Sequence, residues 1–100
     1  YQSDRKRLLE YTYRIGRITH KMNRSPEAIG YYRQTIDSGA SEPWYFACNA
    51  ALQIGLIYEE KRDFQSARNA FQRCLDMHPS EYANSLHAQA KAGLSRCKNK

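Results

Sequence analysis

The 100-residue chain has few side chains in patterns that perform chemistry. Glu59 and Glu60 are adjacent carboxylates, but successive residues of a helix project about 100° apart. General acid–base work needs groups that converge on one proton, so this pair reads as two solvated side chains at a helix end. His20, His78 and His87 show no ligand spacing, and Cys48, Cys74 and Cys97 fit no zinc pattern. An odd number of cysteines cannot pair completely within the chain, and the three read as small buried thiols. No glycine-rich phosphate loop occurs. The sequence therefore proposes no catalytic residue, no metal and no cofactor, and points to a protein that binds.

The binding chemistry starts on the first helix. Glu10, Arg14, Arg17 and Lys21 follow i, i+4, i+7, i+11 spacing and share one face. This row lies beside an expected core face of Leu8, Thr12, Ile15, Gly16 and Thr19. Arginines so placed can take carboxylates through two parallel hydrogen bonds. A charged solvent face on an ordinary amphipathic helix is the other reading of the same row. Trp44-Tyr45-Phe46 is a dense aromatic run, expected to cover the first helical pair and the turn after Gly39, or else to serve as a partner hot spot. Neither Tyr11 and Tyr13 nor Tyr31 and Tyr32 can all be buried, since neighbours face different ways.

The net charge of +6 is uneven. Residues 1–40 carry eight basic side chains against four acidic, residues 41–80 four against five, and residues 81–100 four against one. Basic ends permit an acidic protein, nucleic acid or anionic lipid as partner. The near-neutral middle interrupts any continuous phosphate-binding track, which weighs against nucleic acid. The apolar stretches are too short to span a bilayer. The chain opens on Tyr1 without Met, as an excised piece of a longer protein would.

Five helices are expected to position these residues. The first runs over about Asp4–Met22 behind a Ser3 cap. Ser25-Pro26-Glu27 starts the second, with Ser as cap and Pro at the first position, and Gly39 ends it as a left-handed C′ residue. Ser41-Glu42-Pro43 opens the third, which reaches Glu60. Asp63 caps the fourth, which ends before Pro79, and Ser80 caps the fifth, which fades near Cys97. Short connections make neighbouring helices antiparallel.

An internal repeat organises them. Arg14-Ile15-Gly16-Arg17-Ile18 aligns with Gln53-Ile54-Gly55-Leu56-Ile57, and Ala28, Tyr32 and Ile36 then align with Ala67, Phe71 and Leu75 without a gap. Ala92-Gly93-Leu94 begins a third, partial copy. The period is 39 residues from Gly16 to Gly55 and 38 from Gly55 to Gly93.

These residues resemble the tetratricopeptide repeat family, whose pattern is Leu-Gly and Tyr on a first helix, then Ala, Phe and a closing Pro. The second copy reads Ile54-Gly55, Tyr58, Ala67, Phe71 and Pro79, with Ala51 in place of the leading Trp. The first copy is weaker: Ile15-Gly16, Thr19, Ala28 and Tyr32, with no Pro. The period exceeds the family's 34 residues, and the surplus is expected at the starts of the third and fifth helices. The closing helix, Leu86 to Leu94, resembles those of bacterial repeat proteins.

The resemblance implies an all-α superhelical solenoid: one pair over about 4–39, a second over about 42–79, and a capping helix over about 80–97. Gly16, Ala28, Tyr32, Gly55, Tyr58, Ala67, Phe71 and Pro79 would pack the repeats. It also implies a groove that holds a peptide or helix of a partner protein, lined by Arg14, Arg17 and Lys21 and, on the next first helix, by Asn49, Gln53, Leu56 and Glu60. Such a groove suits a partner with one acidic end. Some members clamp a C-terminal carboxylate with Lys and Asn, but Tyr13 and Arg17 stand at those places here. The alternatives are a structural cap on a longer solenoid and a basic nucleic-acid-binding repeat.

Overall fold

The computed structural model describes residues 2–100, with side chains from Asp4 onward. Five helices follow one another: α1 (Gln2–Lys21), α2 (Ser25–Gly39), α3 (Phe46–Glu60), α4 (Phe64–Asp76) and α5 (Ala83–Cys97). No strand occurs among the described residues. Each helix packs on the next, and α3 also meets α1 and α5. The result is an all-α helical repeat of 45 × 28 × 17 Å.

The 39-residue period is visible in the backbone. Both turns inside the pairs put one non-glycine residue in the left-handed region, Asn23 at φ 62° and Arg62 at φ 65°. The hydrogen bonds around them match. Asn23 N–H donates to His20 C=O and Arg24 N–H to Thr19 C=O, each at 3.0 Å; Arg62 N–H donates to Glu59 C=O at 3.0 Å and Asp63 N–H to Tyr58 C=O at 2.9 Å. These bonds satisfy carbonyls that a helix end leaves unpaired.

The close approach within each pair is set by glycine against an aromatic ring. A Cβ on Gly16 would lie 2.8 Å from Tyr32 Cδ1 and Cε1. A Cβ on Gly55 would lie 2.5 Å from Phe71 Cδ1, and one on Gly93 would lie 2.5 Å from Phe71 Cζ. Phe71 is thus held between two glycines of successive first helices. Ala28, Ala67, Tyr32 and Phe71 are wholly buried. Tyr58 is half-buried and its hydroxyl accepts a hydrogen bond from Arg33 Nη2 at 3.0 Å. Pro79 is buried in the turn between α4 and α5.

Several sequence expectations need correction. The buried face of α1 is Leu9, Tyr13, Gly16 and Thr19, whereas Leu8 is 65% exposed and Thr12 and Ile15 only half-buried. The helix turns Leu9 under Gly39 and Tyr13 against Tyr32 and Phe46, where glycine leaves room for the leucine and the rings pack on one another. The third helix begins at Phe46 and the fifth at Ala83, so the surplus residues lie in the turns, not in longer helices. The proline in each turn favours this outcome, since it supplies no N–H to a continuing helix. Ser80 does not cap α5: its N–H donates to the Pro43 carbonyl at 2.7 Å, while left-handed Tyr82 holds the cap position. Ser25 lies inside α2 and Arg24 takes the cap position without a side-chain bond. Gly39 is the last helical residue, followed by right-handed Ala40. Its lack of a side chain serves contact, since a Cβ there would meet Leu9 Cδ2 at 3.0 Å. Ser3 does not precede α1 as a cap, since the helix already begins at Gln2 and Ser3 lies within it. Asp63 caps α4, accepting from Ser66 N–H at 3.2 Å.

Candidate functional site: the inner face of the first helices

α1, α3 and α5 are the alternate helices of the stack, joined along one side by side-chain contacts. Tyr13 packs on Tyr45 and Phe46 with ring centroids 6.4 and 5.9 Å apart. Tyr45 meets Tyr82 edge-on at 5.2 Å. Arg96 of α5 holds Glu59 of α3 through two hydrogen bonds of 2.7 and 2.8 Å. That pairing holds the Glu59 carboxyl below its usual range. The aromatic run therefore knits α1, α3 and the turn before α5.

The expected basic row sits along α1, with Arg14 and Lys21 exposed and Arg17 half-buried. Arg14 Nη2 reaches Glu10 at 2.6 Å, an exposed i,i+4 pair of small energetic weight. Arg17 Nη1 donates to the Tyr13 hydroxyl at 3.3 Å, which fixes the guanidinium against the buried ring. That bond raises Arg17 above its ordinary value. Asn49, Gln53 and Leu56 of α3 are half-buried and Glu60 is exposed. Gln53 Nε2 donates to Asn49 Oδ1 at 3.2 Å.

The structure brings these residues together unevenly. Asn49 belongs to a recess of about 260 Å³ between α3 and α5, lined also by Tyr45, Tyr82, Ser85 and Leu86. Arg14, Arg17 and Lys21 lie on α1, outside that recess. Nearby, His20 Nδ1 and the Tyr32 hydroxyl share a hydrogen bond at 3.2 Å. Burial, then the charge of Arg17, lowers the His20 pKa, with Glu60 opposing. Burial pushes the Tyr32 phenol well above its usual range.

Sequence reasoning missed two surfaces. One is a second recess, of about 230 Å³, on the side of α2 and α4, where Arg33, Tyr58, Asn69 and Arg73 surround an apolar floor that includes Ile36 and Ile54. The helical spacing of Arg33 and Asn69 alone gave no hint of it, since the recess forms only where three helices meet. The other is an apolar stripe on α1: Leu8, Tyr11, Ile15, Ile18 and Met22. Its i, i+3, i+7, i+10, i+14 spacing was readable.

Among the described residues no group of three or more His, Cys, Asp and Glu converges as metal ligands. All three cysteines are buried. Cys48 and Cys74 Sγ lie 3.5 Å apart, and that hydrogen bond, with burial, pushes the Cys74 thiol far above its ordinary range. No described helix is long and apolar enough to cross a membrane.

No curated protein and no solved structure matches the chain. The family model for the tetratricopeptide repeat matches residues 49–81, which span most of α3, all of α4 and the turn beyond. That segment carries the glycine, alanine, aromatic and proline whose packing is described above, and residues 49–81 are a tetratricopeptide repeat.

Proposed function

We infer that the chain is a protein–protein interaction or scaffolding module, not an enzyme, and that its inner face receives an extended peptide with an acidic end. The observations that support this reading are Arg17, held on the Tyr13 hydroxyl of α1, and the separate Asn49 recess beside α3, the helix that α1 touches. A preorganised guanidinium loses little freedom on binding a carboxylate. Half-buried Tyr45 and Leu56 offer apolar contact to the rest of the peptide.

The test is fluorescence anisotropy with labelled peptides of aromatic–aliphatic body, ending in Glu-Glu or in Lys-Lys. The acidic peptide should bind better, and Arg17→Glu with Asn49→Ala should weaken it at least about tenfold. Equal binding of the two peptides, or indifference to the double substitution, removes the inner-face reading.

A second reading, a structural cap on a longer solenoid, is favoured by α5. Its outward side carries Ser85, Ala88, Gln89, Ala92 and Ser95, all exposed and none large and apolar. Terminal repeats need such a solvated face.

A further inference from the structure

The outer face of α1 carries a row of exposed apolar side chains. Leu8, Tyr11, Ile18 and Met22 are 65%, 65%, 59% and 55% exposed. With half-buried Ile15 they recur at alternating steps of three and four, the spacing that lets one helix seat against another. Among the described residues four of the five large exposed hydrophobic side chains belong to this stripe; the fifth is Tyr82.

The repeat itself shows what such a face does. Thirty-nine residues on, Leu8, Tyr11, Ile15 and Ile18 correspond to Ala47, Ala50, Ile54 and Ile57 of α3. All four are buried, on the helix that packs against α2. The α1 stripe is thus a helix-receiving face with no helix on it among the described residues. Leu8 extends it into an open cleft of about 600 Å³ between α1 and α2.

The edges of the stripe specify the occupant. Arg7, Arg14 and Lys21 follow i, i+7, i+14 spacing along one side. Arg14 has Glu10 beside it, and Arg7 and Lys21 have no carboxylate within 4.0 Å among the described residues. The other side holds Thr12 and Thr19, whose hydroxyls donate back to the Leu8 and Ile15 carbonyls, in one row with Arg5, whose charge is met by Glu42 at 2.9 Å. A second copy docked antiparallel through the same stripe would set the Arg7, Arg14 and Lys21 row against its own counterpart. Such like-charge facing disfavours the pairing.

We propose that the outer face of α1 docks an amphipathic helix of another protein, one whose apolar stripe is flanked on one side by Glu or Asp. This surface shares Arg14 and Lys21 with the row bearing Arg17 but is centred on Leu8, Tyr11, Ile15, Ile18 and Met22, so Ile18→Asp tests it apart from the inner-face reading.

The test uses the 100-residue protein and two labelled synthetic 21-residue helices. Both carry Leu at heptad a and d positions; one has Glu along one flank and the other Lys. The Glu-flanked helix should bind at least about tenfold more tightly than the Lys-flanked one. Ile18→Asp should weaken it by at least about tenfold, and Arg7→Glu with Lys21→Glu should reverse the preference. Ile18, Arg7 and Lys21 are exposed, so circular dichroism should show unchanged helicity. Arg17→Glu should leave this binding in place, whatever it does to the inner face. Equal affinity for the two helices, or binding indifferent to Ile18→Asp, overturns the proposal. So does a concentration-dependent dimer in sedimentation equilibrium that Ile18→Asp abolishes, which would give the stripe to a second copy.

Discussion

The two helical pairs reach the same backbone with different side chains. In the second, Phe71 sits between Gly55 and Gly93, so the ring is pinned on both sides. In the first, Tyr32 lies against Gly16 and sends its hydroxyl to His20. Thr19 stands where the second pair has Tyr58, yet the turns that follow have the same hydrogen bonds. What the pairs share is a close approach that needs a glycine and a ring. The identity of the ring, and whether it is held by packing alone or also by a polar partner, is free to vary.

The sharpest way to break this comparison is to remove the ring from the second pair and only the polar partner from the first. Phe71→Ala should cost about 3–5 kcal/mol, since a wholly buried ring between two glycines leaves a cavity. Tyr32→Phe keeps the ring and loses only the bond to His20, so it should cost about 1 kcal/mol. Urea denaturation measures both, and comparable losses would mean that the pairs are not held differently.

A smaller effect probes the pinning. Gly55→Ala should destabilise by about 1–3 kcal/mol, because Phe71 has Gly93 behind it and cannot retreat. At Gly16 the approach is looser, 2.8 against 2.5 Å, and alanine's better helix propensity, about 1 kcal/mol, offsets part of the strain. Gly16→Ala should therefore lie closer to neutral. Equal shifts in denaturation midpoint would show Tyr32 to be as confined as Phe71.

The smallest expected effect is the pH response of the first pair. Burial lowers the His20 pKa in the folded chain, so protonation favours the unfolded state. The stability tied to neutral His20 is whole above about pH 6.5, the value of an unperturbed histidine, and declines as pH falls through and below it. His20→Gln should flatten that part of the thermal-stability profile between about pH 7 and 5. An unchanged slope would assign the acid sensitivity to other groups.

The helical fold was legible because its signals are local: proline and aspartate near helix starts, and glycine, alanine and rings at a constant interval. Asp63 is the clearest case, its carboxylate in the cap role that its type and position foretold. The register of α1 was harder to read. Leu8 and Leu9 are adjacent leucines, and choosing the buried one requires knowing that Gly39 leaves a hollow for Leu9. The surplus residues were misplaced for a similar reason. Pro43 accepts from Ser80 across 37 positions of sequence, and no helix-start signal reports a bond of that span. The candidate inner face was legible as a list of side chains but not as a shape, since the Asn49 recess depends on Tyr82 and Ser85 arriving from another helix.

The contact order of the stack has a kinetic consequence. Every helix touches its sequence neighbour, and the farthest pairs in contact are α1 with α3 and α3 with α5. Chains built from such near contacts close short loops and cross low entropic barriers, so they fold fast for their size. They also open in pieces, from the ends inward. α3 is packed by all four other helices, so its amides should be the last to exchange with solvent, while those of α1 exchange through local opening that leaves the remainder folded.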